Sequence, residues 1–154
     1  DWIADAMTDV VRGECYVMPI APLVGDLETV MPENAPILKM IGIGTVENTT
    51  ALMNELTPRF PQCDFYKSQH YIMEAVAKGV DKAAGLDFLC EHYGFDIAET
   101  VAFGDSYNDT EMLKRAGLGV AMGNAAPDVQ KFADIVAPTN DDDGIAKTLN
   151  EIFY

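Results

Sequence analysis

From residue 79 to the end of the chain, short apolar runs alternate strictly with segments of helical period. The runs lie at 101–103, 118–121 and 134–137. The helical segments cover 109–116, 127–133 and 144–153. An earlier helix starts at Asp81, carries Leu86, Leu89, Cys90 and Tyr93 on its apolar face, and ends at Gly94. Short strands that each lead into a helix imply parallel βαβ units, because a parallel pair needs a crossover and cannot be closed by a tight turn. Pro127 fits the first turn of its helix, where its missing N–H costs nothing.

Within this half, the stretch 100–117, TVAFGDSYNDTEMLKRAG, concentrates the polar residues. Val101-Ala102-Phe103 has the length of a buried strand and Gly104 breaks it. Ser106 and Asn108 can cap a helix start, and Met112, Leu113 and Ala116 then recur at helical spacing up to Gly117. Asp105 and Asp109 are thereby pinned around one strand-to-helix turn. In an open α/β sheet, ligands bind beyond the carboxyl ends of the strands, which is where this turn falls. A helix start offers free N–H groups to an anion. Two carboxylates beside it suit a divalent cation held between carboxylate and phosphate, although Asp and Asn at such a position are also common caps.

GDSYNDTEM, followed by AGLGVAMGNAAPDVQKFADIVAPTNDDDGIAKTL, resembles the C-terminal signature of the haloacid dehalogenase superfamily, and more closely its Cof-type sugar-phosphate phosphatase branch. Upstream, GVDKAAGLDFL is similar to that branch's lysine motif, with Ala83 where a glycine is usual. The resemblance covers 79–152 closely and the first half only as a cap domain. It implies an α/β fold: part of a parallel Rossmann-like core, here 79–154, plus an α+β cap with an antiparallel sheet, here 1–78.

The resemblance also implies roles. Lys82 would stabilise the transferring phosphoryl group, oriented by Asp109. Asp105 would be the direct Mg²⁺ ligand, with Asp109 also at the metal, and Asn108 would donate to phosphate or substrate. Independently, Lys82 sits in the first turn of its helix, where a cation opposes the positive dipole end unless an anion is near. Asn124 in MGNAA either supports the site or caps the next helix; the cap is the expectation. The family's reaction also needs an aspartate nucleophile in a DxD motif on a first strand, and a Ser or Thr phosphate binder on a second. The one DxDG string, Asp141-Asp142-Asp143-Gly144, follows Pro138-Thr139-Asn140 rather than an apolar strand and reads as helix capping. The chain therefore resembles the C-terminal part of a phosphatase, and its start at Asp1 without Met suggests that a preceding segment has been removed.

The first half reads as a helix over 2–12 ended by Gly13, a strand over 15–18, a long loop over 21–36 and a strand over 37–43. A helix over 48–56 and a hairpin of 63–66 with 71–77 follow, turning at 67–70. That order predicts an antiparallel sheet with helices on one face. Gly42-Ile43-Gly44 lacks the third glycine of a dinucleotide-binding turn, since Glu47 stands there, and is set aside. His70 reads as a surface turn residue, and Tyr66, Tyr71 and Met73 as core.

The 154 residues carry a formal net charge of −15. Such a chain repels phosphate backbones, so nucleic acid is not an expected partner. Its apolar runs fall short of the ~20 residues of a membrane span. Cys15, Cys63 and Cys90 are widely spaced in apolar contexts, which predicts buried free thiols in a cytoplasmic protein. Two functions follow. Either the intact protein is a Mg²⁺-dependent phosphatase acting on a small phosphorylated metabolite and this chain alone is inactive, or the chain is a non-catalytic ligand- or partner-binding module derived from that fold.

Overall fold

The computed structural model describes residues 2–17 and 20–154, in two compact units, Asp1–Leu38 and Lys39–Tyr154. The first unit holds β1 (Ile3–Ala4), α1 (Asp9–Val17), β2 (Leu23–Val24) and α2 (Leu27–Val30), with β1 and β2 paired in parallel. It corrects three expectations. Ile3 and Ala4 do not start a helix, because their backbone pairs with β2: the Leu23 N–H donates to the Trp2 carbonyl and the Gly25 N–H to the Ala4 carbonyl, both at 3.0 Å. The helix begins instead at Asp9, after Thr8, whose hydroxyl accepts from the Val11 N–H at 3.2 Å, and runs through Gly13. Residues 15–17 belong to that helix rather than to a strand; residue 18 lies outside the described residues. The expected loop over 21–36 contains β2 and α2, the latter capped by Asp26, which accepts from the Glu28 N–H at 3.0 Å. In each case tertiary pairing or a local cap outweighs residue spacing.

The second unit opens with β3 (Met40–Ile43), α3 (Val46–Arg59), β4 (Cys63–Gln69) and β5 (Ile72–Ala77). The strands form the expected antiparallel sheet, in the order β3-β5-β4. Thr45 starts α3 two residues early by accepting from the Asn48 N–H at 3.2 Å, and Pro58 lies inside its last turn instead of ending it. The hairpin turns later than expected, because β4 continues through an irregularity at Lys67–Gln69. Lys67 is a brace rather than a turn residue. Its ammonium donates to the Thr50 hydroxyl at 2.7 Å, the His70 carbonyl at 2.9 Å and the buried Thr49 hydroxyl at 3.0 Å, tying the hairpin tip to the first turn of α3.

At the hairpin base, the Asp64 carboxylate accepts from the Lys78 ammonium and from the Gly79 N–H at 2.7 Å. Gly79 takes φ +77°, a left-handed turn that leads into α4 (Lys82–Tyr93). Asp81 caps this helix by accepting from the Ala84 N–H at 2.7 Å, and Gly94 ends it at φ +74°, as the sequence predicts. Its expected apolar face is only partly buried: Cys90 is covered, whereas Leu89 and Tyr93 are exposed. Cys90 is the buried cysteine; Cys15 and Cys63 are half-buried, and all three are free.

The remaining elements are β6 (Val101–Gly104), α5 (Thr110–Arg115), β7 (Leu118–Ala121), α6 (Pro127–Gln130), β8 (Ile135–Val136) and α7 (Gly144–Phe153). The strands form a parallel sheet in the order β6-β7-β8. The central strand is buried on both faces, as parallel strands require. On one face Ala121 packs with Leu113, Ala125 and Val129; on the other Val120 packs with Met122 and Ala137. A Cβ on Gly119 would lie 2.1 Å from the Leu113 carbonyl oxygen, so α5 packs backbone to backbone on β7. No helix among the described residues is long and apolar enough to cross a membrane.

The Lys78 ammonium, and then the Gly79 N–H, hold the Asp64 carboxyl below its ordinary pKa. A carboxylate lowered in the folded state adds stability above its unfolded pKa, about 3.9, and loses it as pH falls through the folded value. Asp64→Asn should therefore destabilise the chain at pH 7, and the gap between the two proteins should close below about pH 4. Urea unfolding across this range checks it; a gap that widens on acidification contradicts the assignment.

Candidate active site

Gly104 ends β6, and the chain turns at once into a 3-10 turn, Tyr107–Asp109, before α5. The turn closes on itself: the Asp109 N–H donates to the Ser106 carbonyl at 3.0 Å, and the Ser106 N–H donates to Asp109 Oδ2 at 2.9 Å. The Asp105 N–H donates to the same oxygen, also at 2.9 Å. Oδ1 of Asp109 accepts from the Lys82 ammonium, which arrives from the first turn of α4. Asp109 is only 3% exposed. A buried carboxylate is costly unless paired and hydrogen-bonded, and here each oxygen is satisfied. The misplaced cation of α4 is thus explained: its charge is opposed by a carboxylate rather than by the helix alone.

Asp105 stands in a different environment. It is exposed, and its side-chain oxygens each take a single hydrogen bond, from the Ser106 hydroxyl and from the Asn124 amide, both at 3.3 Å. Lone pairs remain for a cation, and the carboxylate is the hard oxygen donor that Mg²⁺ takes. Among the described residues no group of three or more His, Cys, Asp and Glu side chains could hold a metal unaided. Asn108 is half-buried, and its amide oxygen is buried with no hydrogen-bond partner. An acceptor left in that state costs about 1–3 kcal/mol and calls for an explanation beyond packing.

The structure thus brings Lys82, Asp105, Asn108 and Asp109 to the carboxyl end of β6. Two neighbours that the sequence reading named take part differently from what it expected of them. Asn124 does not cap a helix: α6 is preceded by Ala126, and the Asn124 side chain reaches Asp105 on one side and the Asn140 N–H, at 3.0 Å, on the other. His70, at the hairpin tip, places its ring edge-on to Tyr107 with centroids 5.4 Å apart. The Tyr107 hydroxyl donates to Asp128 at 3.4 Å, and partial burial followed by the Asp128 charge pushes its phenol above the ordinary value.

A Cβ on Gly104 would meet Asp109 Cβ at 2.5 Å. Gly104→Ala should therefore push Asp109 off its two N–H donors and destabilise the chain by about 1–3 kcal/mol. Thermal unfolding measures this; an unchanged midpoint would show that the turn accommodates the methyl group.

A family model of haloacid dehalogenase-like hydrolases matches residues 22–149. The stress response protein YhaX of Bacillus subtilis is 33% identical over 138 residues, which is 90% of this chain and 47% of that protein. The 5-amino-6-(5-phospho-D-ribitylamino)uracil phosphatase YitU of the same organism is 42% identical over 83 residues, 54% of this chain and 31% of that one. A sugar phosphatase of haloacid dehalogenase subclass IIB shares the fold at a TM-score of 0.82 and 30% identity, covering 95% of this chain and 55% of its own. The chain spans less than half the length of the two curated relatives. By the extent of the family match and the acidic turn that closes β6, this chain belongs to the haloacid dehalogenase-like hydrolases.

Proposed function

We propose that the protein containing this chain is a Mg²⁺-dependent phosphomonoester hydrolase acting on a small phosphorylated metabolite, a sugar phosphate foremost. The observation that carries this reading is the Lys82–Asp109 pair set beside Asp105 at the carboxyl end of a parallel sheet. In this reading 79–154 is the C-terminal half of the catalytic core and 1–78 part of the cap that faces substrate. The sugar phosphatase of similar fold and the phosphoribitylaminouracil phosphatase relative support a phosphorylated small molecule as substrate.

The charges of the site decide what else it requires. Two carboxylates outnumber one ammonium, so the cluster is net negative and repels a phosphate dianion. A divalent cation reverses that sign. Mg²⁺ at Asp105 would supply positive charge shared between the carboxylate and phosphate oxygens, with water and phosphate completing its coordination. Both oxygens of Asp109 are already engaged, so Asp109 would serve a metal through its charge and mainly holds Lys82. The Lys82 ammonium has three N–H bonds, of which Asp109 takes one, and those left over point-charge the phosphate oxygens. Asn108 contributes its amide to phosphate or substrate.

In the proposed reaction an aspartate oxygen from outside this chain bonds to phosphorus, the ester P–O bond breaks with its electron pair going to the alcohol oxygen, and that oxygen takes a proton from water or from an acid outside this chain. Water then hydrolyses the acyl phosphate, returning the carboxylate and inorganic phosphate. This chain supplies the groups that bind and neutralise the phosphoryl group and not the one that attacks it.

Two outcomes follow. The 154-residue chain alone should show no Mg²⁺-dependent hydrolysis of p-nitrophenyl phosphate or of sugar phosphates; turnover that EDTA and Asp105→Asn both abolish would overturn this division of labour and place a nucleophile within the chain. In the whole protein, Asp105→Ala should nearly abolish turnover. Lys82→Ala and Asp109→Ala should each cost about 10–100-fold in kcat/KM, and the double substitution far less than their product. Strict multiplication of the two losses would show that the pair does not act as a unit.

A further inference from the structure

We propose that Asn124 is a positioning residue that aims the Asp105 carboxylate, and that the loop after β8 sets Asn124 in turn. The proposal rests on the reading of Asp105 as the metal ligand. Three residues from three successive strand ends meet here: Asp105 after β6, Asn124 after β7 and Asn140 after β8. The backbone N–H of Asn140 can only donate, so the amide oxygen of Asn124 must face it. The NH₂ end must then face Asp105 Oδ2, where it lies 3.3 Å away. The side chain has a single orientation that satisfies both ends.

Both ends are anchored in tightly packed backbone. A Cβ on Gly123 would meet the Ala137 carbonyl at 2.9 Å and the Thr139 nitrogen at 3.0 Å, so the loops after β7 and β8 touch along their main chains. The Thr139 hydroxyl donates to Asp142 at 2.7 Å, and Gly144 leaves no room for a Cβ beside the Pro138 carbonyl, 2.1 Å away. Asn124, Asp105 and Asn140 are themselves exposed, and hydrogen bonds between exposed groups add little to folding. What the Asn124 bridge contributes is direction. It holds one Asp105 oxygen while Ser106 holds the other, which fixes the plane of the carboxylate.

The test uses the ¹⁵N-labelled 154-residue chain, with Mn²⁺ alone as the probe. Asn140→Pro deletes the N–H that orients Asn124, together with a weak side-chain bond to Asp141 at 3.4 Å that involves no site residue. Asn140→Ala, which removes that side chain and keeps the N–H, is its control. The site suits proline, because residue 140 is the first of a 3-10 turn and Thr139 before it is extended, at φ −67° and ψ 164°. Asn124→Ala deletes both bonds. Asn140→Pro and Asn124→Ala should both unfold within a few degrees of the native chain, yet need about tenfold more Mn²⁺ to broaden the Asp105 and Ser106 amide resonances. Without metal, Asp105→Ala should shift the Asn140 amide resonance in the native background and not in Asn124→Ala. Equal Mn²⁺ dependence in the native chain, Asn140→Pro and Asn124→Ala, or an Asn140 amide indifferent to Asp105→Ala, would overturn the positioning role alone. No broadening near Asp105 in the native chain would overturn the metal assignment and this role with it.

Discussion

The buried carboxylate of Asp109 is the constraint on which the second unit depends. Left unpaired, it would cost several kcal/mol, so the chain supplies a donor for every direction its oxygens face. Two of those donors are the backbone N–H groups of Asp105 and Ser106, which fixes the path of the chain as it leaves β6. The third is Lys82, which fixes where α4 begins. Gly104 is the corollary, since the carboxylate occupies the space in which a side chain would stand. One ionised group thus settles the relation of a strand, a turn and a helix start. Its neighbour Asp105 is left exposed, with a single hydrogen bond to each side-chain oxygen.

Most of the parallel half was legible in the sequence. The limits of β7 and α7 and the caps of α4, Asp81 and Gly94, fall where residue types alone put them. These elements are several residues long, carry one clear period and end at residues with a single conformational meaning. The Asp1–Leu38 unit was not legible for the opposite reason. Its strands are two residues each, too short to show alternation, and β1 is defined only by a partner some twenty residues away. The helical spacing of Ile3, Met7, Val10 and Val11 is present but belongs to no single helix. Lys82, Asp105, Asn108 and Asp109, which the sequence singles out through its resemblance to the family, stand together at the end of β6. Asn124 was found and given the wrong work: its side chain bonds forward to Asn140 and back to Asp105, and no local pattern reports a bond that spans three loops.

The antiparallel sheet contributes one more residue to the neighbourhood of the site. Lys67, with no carboxylate within salt-bridge distance among the described residues, spends its hydrogen bonds on two threonine hydroxyls and the Val46 and His70 carbonyls. That brace holds the hairpin tip, and with it the His70 ring against Tyr107. The residue next to Tyr107 is Asn108, whose amide oxygen is buried without a partner. The hairpin therefore packs directly on the turn that carries the carboxylates, with the aromatic pair among their contacts.

The spacing of strand partners along the chain bears on how such a unit assembles. In the parallel sheet each strand pairs with one about 15–17 residues away and β4 and β5 form a hairpin, whereas β3 reaches β5 across about 29–35 residues. The tie between α4 and the turn after β6 spans 27 residues, intermediate between the two. It is made by a side chain alone, onto a carboxylate whose other oxygen the backbone of the turn holds. A residue of the α4 start is thereby joined to the end of β6 without any strand pairing between them.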